Sequence, residues 1–265
     1  MSRIWKTKQL EFWRYFGKRL VEIANIPEGA FILDIGSGRG TSLIPAAERT
    51  GDDGLVIGID NHVPFVTGVS KEILQRRLTN ASIIKMDAME LGFTDSYFDF
   101  VLCGFSYIFC RLEDLHAVLK SGGRIALSAW KWQDDLEWMG KVVKNYVPEE
   151  DYEDLSDMGI PSDDGRPWVY TRETEEELSK LLNGAGFEGV EILEERREFT
   201  YADEEGYWDI VTNRAWQHYI KVIESTGSAR LREFKSEVFS YLQQFKDPKG
   251  IHYTKTVLFA TGTKG

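Results

Sequence analysis

The sequence predicts an α/β fold, with a mostly parallel sheet flanked by helices and two aromatic-rich insertions. Three observations carry that reading. The first is Ala30-Phe-Ile-Leu-Asp-Ile-Gly-Ser-Gly-Arg-Gly-Thr41, an apolar run that ends in glycines at 36, 38 and 40 and leads into a helix-like segment through Thr50. The second is a series of apolar strands that each reach an aspartate, at Asp34, Asp60 and Asp87. The third is the contrast between this regular alternation up to Trp130 and the irregular, aromatic stretches beyond it. Strands without polar alternation suit a parallel sheet covered on both faces, and the helices between them supply the crossovers.

Taken in order, residues 4–24 read as one amphipathic helix carrying Trp5, Phe12, Trp13, Tyr15 and Phe16, broken by Ile-Pro-Glu-Gly at 26–29. The first strand and its glycine turn follow, with Pro45 in the first turn of the next helix, where a missing N–H costs little. Gly51-Asp-Asp-Gly54 turns the chain into a second strand ending at Asp60, and Asn61-His-Val-Pro64 opens the following helix. A third strand, 81–86, leads to Asp87, Ala88 and Met89; a fourth, Tyr97 to Cys103, is followed by Gly104-Phe-Ser-Tyr-Ile-Phe109. Leu112, Leu115, Val118 and Leu119 mark a helix face, and Gly122-Gly123 turns it into a fifth strand ending at Trp130. Thr174-Glu-Glu-Glu177 is a capping box, and Asn-Gly-Ala-Gly at 183–186 closes that helix. Strands are expected at 187–193 and 251–261. The insertions, about 131–170 and 200–247, hold Trp132, Trp138, Trp168, Trp208, Trp216, His218 and Tyr219. One domain follows, with its core at about 25–130, 171–195 and 250–262. Cap segments are expected at 1–24, 131–170 and 200–247.

The bulk numbers narrow the partners. Lys+Arg 32 against Asp+Glu 43 gives a net charge of −11, which disfavours nucleic acid and anionic membranes, although the first twenty residues are basic. The two cysteines, Cys103 and Cys110, lack metal-ligand spacing, so no metal is expected and a reducing compartment is. With no apolar leader and no run of membrane-spanning length, a soluble cytoplasmic protein is expected.

The strand ends suggest the ligand. Thr41 stands where a G-x-G-x-x-G dinucleotide loop is already out of phase, and Asp34 would repel a pyrophosphate, which argues against a nicotinamide-dependent oxidoreductase. A ligand with an ammonium group would instead gain a charge-assisted hydrogen bond there. Asp60 is placed to accept two ribose hydroxyls, and Asp87 an adenine amino group, with Ala88 and Met89 against the ring. S-adenosylmethionine (SAM) carries all three parts and no phosphate.

Leu33-Asp-Ile-Gly-Ser-Gly-Arg-Gly40, the acidic strand ends, Tyr97-Phe-Asp-Phe-Val-Leu and Leu119-Lys-Ser-Gly-Gly123 together resemble the class I SAM-dependent methyltransferases, within them the UbiE-like (type 11) small-molecule enzymes. The resemblance spans Ile4 to Trp130. It implies a Rossmann-like sheet of seven strands with the last antiparallel, and SAM as cofactor. The expected cofactor residues are Asp34, Gly36, Ser37, Gly38, Gly40, Asp60, Asn61, Asp87, Ala88, Met89, Cys103 and Phe105. Neither the Asn/Asp-Pro-Pro-Tyr/Phe motif of adenine methylation nor the Pro-Cys pair of pyrimidine methylation is present. The acceptor is expected to be a small, apolar or aromatic molecule beneath a roof formed by the insertions over the strand ends, with Tyr15, Phe16, Trp132, Trp208 and Trp216 lining it. Catalytic candidates are His218 as a general base and Tyr107 and Tyr15 near the sulfonium. The competing readings are a methyltransferase of protein or RNA and a non-catalytic SAM-binding module.

Overall fold

A computed structural model describes residues 11–131, 138–139, 142–148, 174–212 and 217–265. In chain order the elements are α1 (Glu11–Ala24), β1 (Phe31–Ile35), α2 (Leu43–Thr50), β2 (Leu55–Asp60), α3 (Val63–Arg76), β3 (Ala81–Lys85), β4 (Phe98–Gly104), a 3-10 turn (Tyr107–Phe109), α4 (Leu112–Val118) and β5 (Leu119–Trp130). Then come α5 (Glu175–Gly184), β6 (Phe187–Tyr201), α6 (Glu204–Thr212), α7 (Gln217–Ser225), α8 (Ser228–Leu242), β7 (Lys246–Asp247) and β8 (Gly250–Lys264).

The strands lie in the order β3-β2-β1-β4-β5-β8-β6, with the two-residue β7 attached to β8. The pairs from β3 through β5 are parallel. Lys264 Nζ reaches the Leu119 carbonyl at one end of β5 (2.8 Å), and the Lys131 N–H donates to Thr256 O at the other (3.1 Å), so β8 runs antiparallel to β5. Seven strands form the continuous path, as the residues suggested, and β7 is the eighth. The strand order reverses between β1, which neighbours β2, and β4 on its other side. At such a switch point the loops diverge and leave a crevice at the carboxyl ends of the strands.

The described residues form two compact units, one of 11–129, 174–195 and 257–265, the other of 130–131, 138–139, 142–148, 196–212 and 217–256. The first contains the parallel sheet. One face of β1, β4 and β5 buries Leu33, Ile35, Val101, Cys103, Ile125 and Leu127 against Leu115 and Val118 of α4 and Leu178 and Leu182 of α5. α5 starts with the expected capping box: the Glu177 N–H donates to Thr174 Oγ1, and the Glu177 carboxylate accepts the Thr174 N–H. In the second unit α6, α7 and α8 bury Tyr207, Tyr219, Ile223, Phe234, Val238 and Leu242.

Several boundaries differ from the sequence reading. β3 stops at Lys85, so Asp87 lies two residues beyond the strand. β6 continues to Tyr201, because it extends into the second unit, and β8 continues to Lys264 within the first. α1 belongs with the sheet unit rather than with the two insertions. Its face of Phe12, Phe16, Leu20 and Val21 is buried, and that burial decides its place. His116, half-buried on α4, packs its ring edge-on to Phe187 at 5.1 Å.

Candidate functional site

The site begins with three glycines in left-handed conformations, Gly36 (φ +60°), Gly38 (+52°) and Gly40 (+71°), which L side chains adopt only with strain. At Gly36 a Cβ would also stand 2.6 Å from the Ser106 side chain, so glycine is required there twice over. At Gly38 the nearest atom to a Cβ would be 3.8 Å away, so the loop backbone is open to close approach. The loop is fastened to β2: the Ser37 N–H donates to Ile59 O (2.9 Å) and the Gly38 N–H to Asp60 Oδ2 (2.8 Å). Asp60 Oδ1 accepts the His62 N–H at 2.8 Å. The Asp60 carboxylate thus ties together the two loops that bound the crevice, and each oxygen keeps a second lone pair for a ligand hydroxyl.

Asp34 lies deeper than the mouth of the loop, where the sequence placed it. It is fully buried; Oδ1 accepts Ser42 Oγ–H at 2.6 Å, and Oδ2 has no hydrogen-bond partner. Burial pushes its carboxyl up to about 6, against the hydrogen bonds of Ser42 and Ser37, and the Asp60 charge adds to the rise. A buried carboxylate oxygen without a partner is costly unless something charged or protic meets it. Under a loop open at Gly38, that oxygen fits the ammonium end of a ligand such as SAM.

The remaining expected residues divide. Asp87 is exposed and accepts the Met89 N–H on Oδ1 (2.9 Å), with Ala88 half-buried and Met89 and Asn61 exposed. Phe105 has φ +59° and sets its ring against Trp13 (5.1 Å) and Phe16 (6.2 Å), forming an aromatic wall where β4 ends. Cys103 does not belong to this side. The register pairs Asp34 with Leu102 and Ile35 with Cys103, so strand alternation turns the buried Cys103 onto the opposite face. Tyr107 is buried in the core on that same face, away from Asp34.

The Tyr15 hydroxyl donates to Glu195 Oε1 at 2.5 Å, and Arg19 Nε donates to Oε2 at 2.7 Å, which fastens α1 to β6. Phe16 is fully buried, 6.2 Å from the ring of Phe259. Trp208, expected in a substrate wall, is instead core: it packs between Phe234 (5.7 Å) and Phe239 (6.2 Å), with Lys235 over its ring. Trp132, Trp168 and Trp216, and the side chain of His218, lie outside the described residues.

Four residues that build the site were not among the expected site residues. Ser42 holds Asp34. Ser106 buttresses Gly36 and donates to Ile35 O at 2.6 Å. Trp13 contributes to the aromatic wall. Gly17 lets α1 approach Thr41, whose carbonyl would be 2.5 Å from a Cβ. Only Ser42 had a readable signal, a hydroxyl at the start of a helix beside an acidic strand end. Among the described residues, no His/Cys/Asp/Glu group could hold a metal, and no helix is long and apolar enough to cross a membrane.

A glycine loop after β1, a carboxylate at the end of β2 and an antiparallel β8 beside β5 define a Rossmann-like methyltransferase of class I. Residues 32–125 match the family model described as a methyltransferase domain. The chain is 33% identical over 184 residues to aklanonic acid methyltransferase DauC of Streptomyces sp. (strain C5), covering 67% of this chain and 84% of that protein. It is 28% identical over 130 residues to demethylmenaquinone methyltransferase of Bacillus velezensis, covering 47% of this chain and 54% of that one. A solved structure of a Bacillus halodurans C-125 protein designated a methyltransferase shares the fold, with a TM-score of 0.59 at 19% identity over 94% of this chain and 98% of that one. The chain belongs to the methyltransferase family, and its cofactor is SAM.

Proposed function

We propose that the protein transfers the methyl group of SAM to a small, apolar or aromatic organic acceptor. The observation that carries this reading is the setting of the cofactor loop. The rings of Trp13, Phe16 and Phe105 meet where β4 ends, in the same compact unit as the buried Asp34 and the open Gly38. Aromatic surface with few polar groups suits small organic ligands. The relatives named for aklanonic acid and demethylmenaquinone support the same class, and a net charge of −11 offers no broad basic surface for a nucleic acid.

SAM supplies a methyl group on an already charged leaving group, so the protein's task is alignment and exclusion of water. Asp34 Oδ2 would take the ammonium, the Asp60 carboxylate the ribose hydroxyls, and the Asp87–Met89 turn the adenine edge. Phe105 would offer its ring face to the positive sulfur. His218 is the first candidate for a general base if the acceptor presents a hydroxyl.

The test is transfer of a labelled methyl group to phenols, quinols, aromatic acids and amines, run beside tRNA and basic peptides. Label appearing in one of the small molecules is the expected outcome. Label confined to tRNA or peptide would replace the acceptor class, and SAM binding without transfer to anything in the panel would favour a non-catalytic module.

A further inference from the structure

The two cysteines are absorbed by neither the cofactor site nor the proposed reaction, yet the fold brings them together. They are the only cysteines of the chain, and both thiols are free. Cys103 Sγ lies 3.3 Å from Ser106 Oγ, and Cys110 Sγ donates to Tyr107 O at 3.3 Å, so the sulfurs sit on adjoining residues of one turn. Cys103 lies in the core cluster beneath this turn, and Cys110 packs against the same cluster. Cys110 is half-buried, whereas Cys103 is fully enclosed.

We propose that Cys103 and Cys110 form an oxidant-sensitive dithiol, whose co-substrate is hydrogen peroxide and whose closure loosens the cofactor loop. The sulfur of Cys110, the reachable partner, attacks one peroxide oxygen. The O–O bond breaks, the thiol proton leaves with the departing oxygen as water, and Cys110 becomes a sulfenic acid. Cys103 sulfur then attacks Cys110 sulfur, the S–O bond breaks, and the Cys103 proton leaves with hydroxide as a second water. Two thiols are oxidised by two electrons, and the peroxide is reduced by the same two. Burial raises the Cys103 thiol, which suits a slow resolving partner rather than the first nucleophile.

The consequence runs through the segment between the two sulfurs. A disulfide holds its sulfurs at about 2.05 Å, so closure draws together the ends of residues 103–110. Phe105, in its left-handed conformation, forms part of the aromatic wall, and Ser106 abuts Gly36 while holding Ile35 O. Neither can shift without moving the loop that carries the cofactor. A coupling of this kind is expected to weaken SAM binding by about tenfold, within the usual range between linked sites.

The experiment treats the reduced, full-length chain with hydrogen peroxide, reads intact mass and a non-reducing peptide map, and then measures SAM affinity by calorimetry before and after added dithiothreitol. The expected result is loss of two hydrogens, a linked 103–110 peptide, weakened binding and recovery on reduction. Cys110→Ser is expected to bind SAM as the reduced wild type does and to keep its affinity in peroxide. Oxygen addition at Cys110 without linkage, or linkage only after unfolding, overturns the proposal; linkage with unchanged affinity overturns the coupling. The mass readout needs no SAM, so failure of the cofactor assignment shows separately, as reduced protein that binds none.

Discussion

Asp34 links the stability of the empty protein to its affinity for the cofactor. Burial moves its carboxyl from the ordinary 3.8 to about 6. At about 1.36 kcal/mol per pH unit, the ionised form therefore costs the folded state about 3 kcal/mol above pH 6. The sign follows from a raised folded value. Stability is highest where the carboxyl is protonated in both states, falls as pH rises from 3.8 to 6, and stays low beyond. Asp34→Asn removes the charge and keeps the shape, so its acceptor can still meet Ser42. It leaves a buried amide without a partner, which costs about 1–3 kcal/mol. The variant without ligand should therefore gain about 1 kcal/mol over wild type at pH 8. Relative to wild type it should lose roughly 1.5 kcal/mol between pH 8 and pH 5, where about half of the ionisation penalty has gone. Urea unfolding of both proteins at the two pH values measures this. SAM affinity should move the other way, weaker in the variant at pH 8 and less sensitive to pH and salt, because an ammonium ligand would draw the wild-type carboxyl back down. Equal stability of the two proteins at pH 8, or identical SAM affinity across pH and salt, would refute the reasoning.

Asp60→Ala removes the acceptor of the Gly38 and His62 N–H groups as well as the proposed ribose partner; calorimetry should show SAM binding weakened by at least about 1.5–3 kcal/mol, the usual range for hydrogen bonds to a charged group, and an unchanged Kd in a folded protein would count against the assignment. Gly36→Ala forces a Cβ to within 2.6 Å of Ser106 at φ +60°, and should cost about 1–3 kcal/mol in urea unfolding; a neutral variant would show that this contact is soft. The hydroxyl of Ser128 is fully buried without a hydrogen-bond partner, so Ser128→Ala should be neutral or stabilising by about 1 kcal/mol in the ligand-free protein, and a clear loss of stability would mean that the hydroxyl has an ordered partner.

The parts legible in the sequence were those with local causes. The apolar run, glycine loop and helix that became β1 and α2 could be read because only glycine tolerates the required backbone. The placement of Asp60 followed from strand length and the direction of the sheet. The depth of Asp34 was not legible, since it depends on α1 and α2 covering one face of the sheet. Cys103 was placed at the right strand end and on the wrong face, because a shift of one residue reverses a strand side chain and only the pairing register decides it. Trp208 shows a different limit. An aromatic at helical spacing reads the same whether it lines a pocket or packs against Phe234 and Phe239, and the choice is made by helices distant in sequence. Tyr15 had the same ambiguity until Glu195, on β6, took its hydroxyl.

The most direct measurement is a crystal structure of the protein grown with S-adenosylhomocysteine, the product that keeps the amino, ribose and adenine groups. The prediction is an ammonium nitrogen within hydrogen-bond distance of Asp34 Oδ2, both ribose hydroxyls on the Asp60 carboxylate, and the adenine edge at the Asp87–Met89 turn. A cofactor bound elsewhere, or seated in the loop with Asp34 Oδ2 still unpartnered, would contradict the account.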